Sequence, residues 1–358
     1  MNLRIPGPTP LAPEVIDAVG QQMINHRGPE FEALFSDVTK WLKVFYETGN
    51  DLFVLTTSGT GGMEAAVVNT LSPGDRVLSV VIGVFGERFA KIAEAYGADV
   101  TRLEFEMGQA ADPEVVAAKL QEGAPFKAVL LTQNETSTAV TNDVAALCNA
   151  IHDAADPAPL ILVDAISGLG AIRLQTDAWG CDVVVSGSQK AWAAPPGLAM
   201  VSFSPKAWDA YQQARMPRYY LDFGLAAKYA ARNQTPATPN LPTLYGLHKS
   251  LEAMVAEGPV AIEKRHAEIG AYCRKRALDI GLGLFADPDH YSNTVTAVTF
   301  GPEHSSKEIL AALRERHGVI CGSSKAPGVE MIRIGHMGYV TMADIDGVFD
   351  ALADVLGR

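Results

Sequence analysis

The stretch VVVSGSQKAWAAPPG, residues 183 to 197, decides how the rest of the chain is read. Its three valines have the length and β-branched character of a short buried strand. The run stops at Ser186-Gly187-Ser188, and after Gln189 it presents one lysine, Lys190. Alanines and two prolines follow, so no long regular element continues from it. A solvated lysine is the ordinary state of that residue. A lysine at the mouth of an apolar strand can instead be desolvated, which lowers its pKa and makes the amine nucleophilic.

Comparable apolar runs precede it: LFVLTT (52–57), RVLSVV (76–81), KAVLLTQ (127–133) and PLILVDAI (159–166); its own DVVVSGS (182–188) is the last of the series. Helix-forming segments separate them, such as MEAAVVNTL (63–71) and GERFAKIAEAYG (86–97). Before the first strand, residues 28–49 place Phe31, Leu34, Phe35, Val38, Trp41, Leu42 and Phe45 on one helical stripe. Alternating strands and helices predict an α/β fold: a mostly parallel sheet covered on both faces. Ligands of such sheets sit beyond the carboxyl ends of the strands. From about residue 250 the texture changes. A charged amphipathic segment (250–280) leads to NTVTAVTF (293–300), a helix near 306–317, MIRIGH (331–336) and a terminal helix. The expected organisation is an N-terminal arm (1–14), a large domain (15–250) and a smaller C-terminal α+β domain (251–358).

The length, 358 residues, also favours two subdomains. Lys and Arg total 29 against 41 Asp and Glu, a net charge of −12, which argues against nucleic-acid and anionic-membrane partners. Cys148, Cys181, Cys273 and Cys321 are scattered without metal-binding spacing. They read as reduced thiols in a cytoplasmic protein, with no metal site. The start MNLRIPGPTP lacks the apolar segment of a signal peptide, and no apolar run is long enough to span a membrane.

Three further positions carry polar chemistry at strand ends. In TTSGTGGMEAA (56–66), Ser58-Gly59-Thr60 leads into a helix and offers backbone amides to a phosphate; a tight turn capping the helix uses the same residues. Neither the G-K-[ST] ending nor G-x-G-x-x-G spacing is present. Asp164 closes an apolar strand, either as a turn or cap residue or as the partner of a buried cation. Arg333 lies in an apolar run, where it either snorkels or binds a planar anion such as a carboxylate.

Taken in order, PGPTP (6–10), NHRGPEFE (25–32), QNETSTAV (133–140), VDAISGLGA (163–171), GSQKAWAAPPGLA (187–199), PATPNLPTLYGL (236–247) and IRIGHMG (332–338) resemble the class V pyridoxal-phosphate-dependent aminotransferases nearly end to end. Within that class the chain is most similar to the alanine–glyoxylate and serine–glyoxylate enzymes. The resemblance implies fold type I, a homodimer with shared active sites, pyridoxal 5'-phosphate as cofactor, and a small amino acid and a 2-oxo acid as substrates. It further implies that Lys190 binds the cofactor covalently and that Asp164 pairs with the ring nitrogen. Phe85 and Ile166 would cover the two ring faces, and Thr136 would bond the phenolic oxygen. Ser58, Gly59, Thr60 and Gln189 would hold the phosphate, joined by Thr238 and Thr235 from a second chain, and Arg333 would fix the substrate carboxylate. The chain departs from the family in carrying Phe85 where Trp is frequent, Thr60 where some relatives have His, and Thr235 where a Tyr is often found. Competing expectations are other transaminases of the class, acting on ureidoglycine, aminoethylphosphonate or hydroxykynurenine. A cysteine desulfurase-like lyase, with Cys321 as its loop cysteine, is a further alternative.

Overall fold

The computed structural model describes residues 1–358. In chain order the strands are β1 (Asn2–Arg4), β2 (Asp51–Leu55), β3 (Arg76–Val81), β4 (Asp99–Glu104), β5 (Ala128–Thr132), β6 (Asn134–Glu135), β7 (Val140–Thr141), β8 (Leu160–Asp164), β9 (Val183–Gly187), β10 (Ala199–Phe203), β11 (Gly283–Leu284), β12 (Val295–Phe300), β13 (Val319–Ser323) and β14 (Glu330–Gly335). The helices are α1 (Pro13–Val19), α2 (Pro29–Tyr46), α3 (Gly59–Thr70), α4 (Val84–Ala95), α5 (Pro113–Leu120), α6 (Val144–Ala154), α7 (Pro205–Gln213), α8 (Phe223–Ala230), α9 (Leu241–Glu257), α10 (Pro259–Asp279), α11 (Ser306–His317) and α12 (Met342–Leu356).

The five apolar runs become β2, β3, β5, β8 and β9 of a seven-stranded sheet, whose order β2-β10-β9-β8-β5-β3-β4 also takes in β10 and β4, two strands the sequence reading did not include. Every residue of β5, β8, β9 and β10 is buried. Successive side chains of a strand point to opposite faces, so a strand covered on both sides must be apolar throughout. The two cores show this alternation. Val129, Leu131, Ile161, Val163 and Val184 pack on one face with residues of α2, α6 and α9. Leu130, Leu160, Leu162, Val183 and Val185 pack on the other with residues of α3, α4, α7 and α8.

The expected parallel sheet is thus present, with one exception. Strand β10 runs antiparallel to both β2 and β9. Strand β4 escapes the apolar-run pattern because it is an edge strand paired only with β3, and none of its residues is fully buried. The segment expected as one amphipathic stretch over 250–280 is two helices. Gly258, at φ 87°, turns the chain between α9 and α10, and Pro259 opens α10. Helix α9 begins at Leu241 and runs through residue 250, joining the core on the α2 face.

The smaller sheet has the order β1-β13-β14-β12-β11 and its own core, which includes Ile269, Cys273, Val298, Leu313, Ile332, Ile334 and Phe349. Strand β1 joins it by pairing parallel to β13, Leu3 opposite Ile320. A buried polar knot links this sheet to the large one. Asn134 Nδ2 donates to Ser167 Oγ (2.8 Å) and Thr294 Oγ1 (2.9 Å), while Ser292 Oγ donates to Asn134 Oδ1 (2.6 Å). Each group is satisfied by another, which is what lets so much polarity stay buried.

Candidate active site

Strands β8 and β9 are neighbours in parallel register, Asp164 opposite Val185. Asp164 is the last residue of β8, and Lys190 lies three residues past the end of β9. Both therefore leave the carboxyl edge of the sheet side by side. Asp164 is buried, accepts one hydrogen bond from Ile166 N (2.9 Å) and takes part in no ion pair within 4 Å. Burial raises its pKa to about 7; the Ile166 amide opposes this, Glu135 adds to it, and Lys190 and Arg88 draw it back. Lys190 is half-buried and is pushed down to about 8, first by desolvation, with Asp164 opposing and Arg333 and Arg88 assisting.

The N-terminal arm closes over the lysine. Lys190 Nζ donates to Pro6 O (2.5 Å), Thr9 N donates to Gln189 O (3.1 Å), and Thr9 Oγ1 donates to Lys190 O (3.1 Å). Gly7 has φ 125°, and a β-carbon there would lie 2.7 Å from Lys190 Nζ. Only glycine combines that backbone with that proximity.

Ser58 is the N-cap residue of α3, but its side chain makes no capping bond. The first α3 amide bonded to the turn is Gly62 N, on Ser58 O (3.1 Å), so the preceding amides of the first turn have no helical partner. Gly59 touches Ile166: a β-carbon on Gly59 would meet Ile166 Cδ1 at 2.6 Å. Gly59 also approaches Gly187, beside which lies Gln189 Oε1, a buried oxygen with no hydrogen-bond partner. Thr60 is half-buried at the same helix start.

Phe85 is the second residue of α4, half-buried, with the guanidinium of Arg88 over its ring at 4.7 Å. Thr136 is buried, and its carbonyl accepts from Arg333 Nη1 (2.8 Å). Arg333, in β14, also donates from Nε (3.0 Å) and Nη2 (2.6 Å) to Ser323 O. Of the five N–H bonds a guanidinium carries, three are used in this way and one on each Nη is left over. Desolvation lowers the Arg333 pKa and Glu135 opposes it.

Thr235 and Thr238 lie elsewhere on this chain. They line a surface groove with Thr56, Tyr219 and Tyr220, and Lys190 is not part of its wall. Thr235 Oγ1 donates to Ala237 O (2.8 Å), and Thr238 is exposed. Cys321, considered above as a loop cysteine, is corrected by the fold. It sits inside β13, buried opposite Arg4, and burial pushes its thiol up to about 12. A thiol so placed is neither mobile nor a thiolate at neutral pH.

Two features of the site had no place in the reading of the sequence: the arm over Lys190, and the buried carboxylate of Glu135. The first arises from a contact between residues 184 positions apart. The second lies in QNETSTAV next to Thr136, and its charge is the only local signal of it.

The profile of the family Aminotransferase class-V matches residues 2–348. The chain belongs to that family. A relative from Anabaena cylindrica, named as a soluble hydrogenase 42 kDa subunit, is 40% identical over 99% of this chain and 93% of its own. The serine–glyoxylate aminotransferase of Arabidopsis thaliana is 34% identical over 99% of this chain and 90% of its own. Among solved structures, alanine–glyoxylate aminotransferase from Nostoc sp. superposes with a TM-score of 0.94 at 29% identity, covering 99% of this chain and 95% of the other. As a class-V aminotransferase the protein is a transaminase dependent on pyridoxal 5'-phosphate.

The residues present fit that cofactor. A buried carboxylate without a cation suits a protonated ring nitrogen, and a desolvated amine suits an aldehyde. Unpaired amides at the α3 start, with an unpartnered Gln189 side chain beside them, suit a phosphate once the amide presents its NH2.

Proposed function

We propose that this transaminase moves an amino group from a small amino acid, alanine or serine, to glyoxylate or a similar 2-oxo acid. What carries the reading is the grouping of Lys190, Asp164 and Arg333: a lysine amine whose charge both of the other groups influence, beside a guanidinium with two free N–H bonds. The names of the serine- and alanine–glyoxylate relatives support the choice of substrates.

When bound, the cofactor supplies an aldehyde that takes up the amino group and a cationic ring that withdraws electrons from the substrate Cα. The chain does the rest. Asp164 keeps a proton on the ring nitrogen, because a buried carboxylate with no ion pair of its own is stabilised by that charge. Phe85 and Ile166 cover the ring faces, Thr136 bonds its phenolic oxygen, and Ser58, Gly59, Thr60 and Gln189 hold the phosphate. Arg333 fixes the substrate carboxylate and so aims the Cα hydrogen. Lys190 Nζ removes that proton and returns one, a role for which a pKa near 8 is suited.

We further propose a cytoplasmic homodimer in which Thr238 and Thr235 reach the phosphate of the partner's site. The exposed position of Thr238 in a surface groove, flanked by the exposed Tyr219 and Tyr220, supports this; Thr235 is buried behind it with its hydroxyl on Ala237 O. Four free, buried cysteines agree with a reducing compartment. The division into a large cofactor-binding domain and a smaller C-terminal domain remains our reading of the two sheets.

The test is a half-reaction screen. L-alanine or L-serine should convert the bound cofactor to its amino form, and glyoxylate should restore it. Sulfide release from L-cysteine, with no response to alanine or serine, would replace the transaminase reading. Sedimentation velocity giving a monomer would remove the shared site.

A further inference from the structure

Glu135 is fully buried, a costly place for a carboxylate unless its oxygens are bonded. They are. Oε2 accepts from Phe85 N (2.9 Å) and Gly86 N (3.3 Å), and Oε1 accepts from Ser137 N (3.0 Å) and Ser137 Oγ (2.6 Å). Ser137 Oγ in turn accepts from Val84 N (3.1 Å). The first three amides of α4, which no helical carbonyl can satisfy, are therefore all held by Glu135 or by its partner Ser137. Gly83 makes this approach possible, since a β-carbon there would lie 2.6 Å from Glu135 Cγ and Cδ. The same side chain folds the tight turn that carries Thr136, whose carbonyl holds Arg333.

We infer that Glu135 is a positioning residue that fixes the ring of Phe85 over the cofactor and, through Thr136, the guanidinium of Arg333. The carboxylate touches neither cofactor nor substrate. It anchors the helix start that aims Phe85 and the turn that aims Arg333, so the two walls of the site are set by one group. This rests on the assignment of Phe85 and Arg333 made under Proposed function.

The test measures dissociation of pyridoxal 5'-phosphate from wild type, F85A, E135Q and the double variant, together with the circular dichroism of the cofactor band. An amide at position 135 must present NH2 to donors that already point at it. E135Q should therefore raise the cofactor Kd by about tenfold and alter the dichroic band. F85A should raise Kd as well, and the double variant should fall short of the product of the two effects, because part of the E135Q loss runs through Phe85. The KM for the amino donor should rise in E135Q more than kcat falls. If E135Q does not fold, Ser137→Ala removes one of the four donors and should raise Kd about threefold.

A lower thermal midpoint with Kd, band and KM unchanged would reduce Glu135 to a structural carboxylate and overturn the inference. Full multiplication of the two Kd effects in the double variant, or no effect of Ser137→Ala where it is the variant used, would overturn it too. Wild type that binds no cofactor, or F85A that binds it as tightly as wild type, would fail the reading of the site itself and take the inference with it.

Discussion

Asp164 and Lys190 leave neighbouring parallel strands, each draws the other toward its charged form, and burial outweighs both attractions. The carboxyl is held up at about 7 and the amine down at about 8. On the function proposed above, the cofactor would supply a cation to the first and an aldehyde to the second.

That arrangement makes the cofactor-free protein sensitive to pH in a defined direction. Between pH 3.8 and about 7 the native carboxyl of Asp164 retains a proton that the unfolded chain has released. Stability therefore falls as pH rises through this window, and the full cost is present above it. Asp164→Asn should raise the thermal midpoint of the cofactor-free protein at pH 8, with the gain shrinking toward zero near pH 4. A pH-independent difference between variant and wild type would contradict the assignment.

Lys190→Ala should retain cofactor, because the phosphate and ring contacts remain, while turnover falls by about 10⁴-fold. Cofactor content after gel filtration and single-turnover rates measure the two parts separately. Turnover at the wild-type level would mean another group supplies the amine.

Arg333→Lys keeps a positive charge but loses the fork that bonds two carbonyls and leaves two N–H groups for substrate. kcat/KM for L-alanine should fall by about 10- to 100-fold, mostly through KM. L-alaninamide, which lacks the carboxylate, should be processed equally by variant and wild type. An equal loss with both donors would assign the damage to folding.

Gly7→Ala places a methyl group where Lys190 Nζ, Cδ and Cε lie within 2.9 Å, on a backbone at φ 125°. Stability should drop by about 1 kcal/mol or more, and kcat should fall because the amine is displaced. Unchanged kcat with an unchanged thermal midpoint would show that the arm yields freely.

The parts of this protein that were legible in its sequence are those in which one local pattern fixes one outcome. Runs such as LILVD at 160–164 must be strands covered on both faces, so a lysine or an aspartate at their ends is conspicuous. Arg333 stood out in the same way, between apolar neighbours of β14. What was hidden has no local pattern. Strand β4 is polar because it lies at an edge, and β10 reads like its parallel neighbours although it runs the other way. The arm over Lys190 depends on a fold that brings residue 6 to residue 190, and Glu135 is a charged residue whose burial only the surrounding amides permit.

The pairing of β1 with β13 gives the amine a mechanical link to the sheet that bears Arg333. Residues 2–4 are bound into that smaller sheet, and two residues later the carbonyl of Pro6 grips Lys190. The arm that covers Lys190 and the strand that carries Arg333 are therefore built on the same sheet, so neither is placed independently of the other.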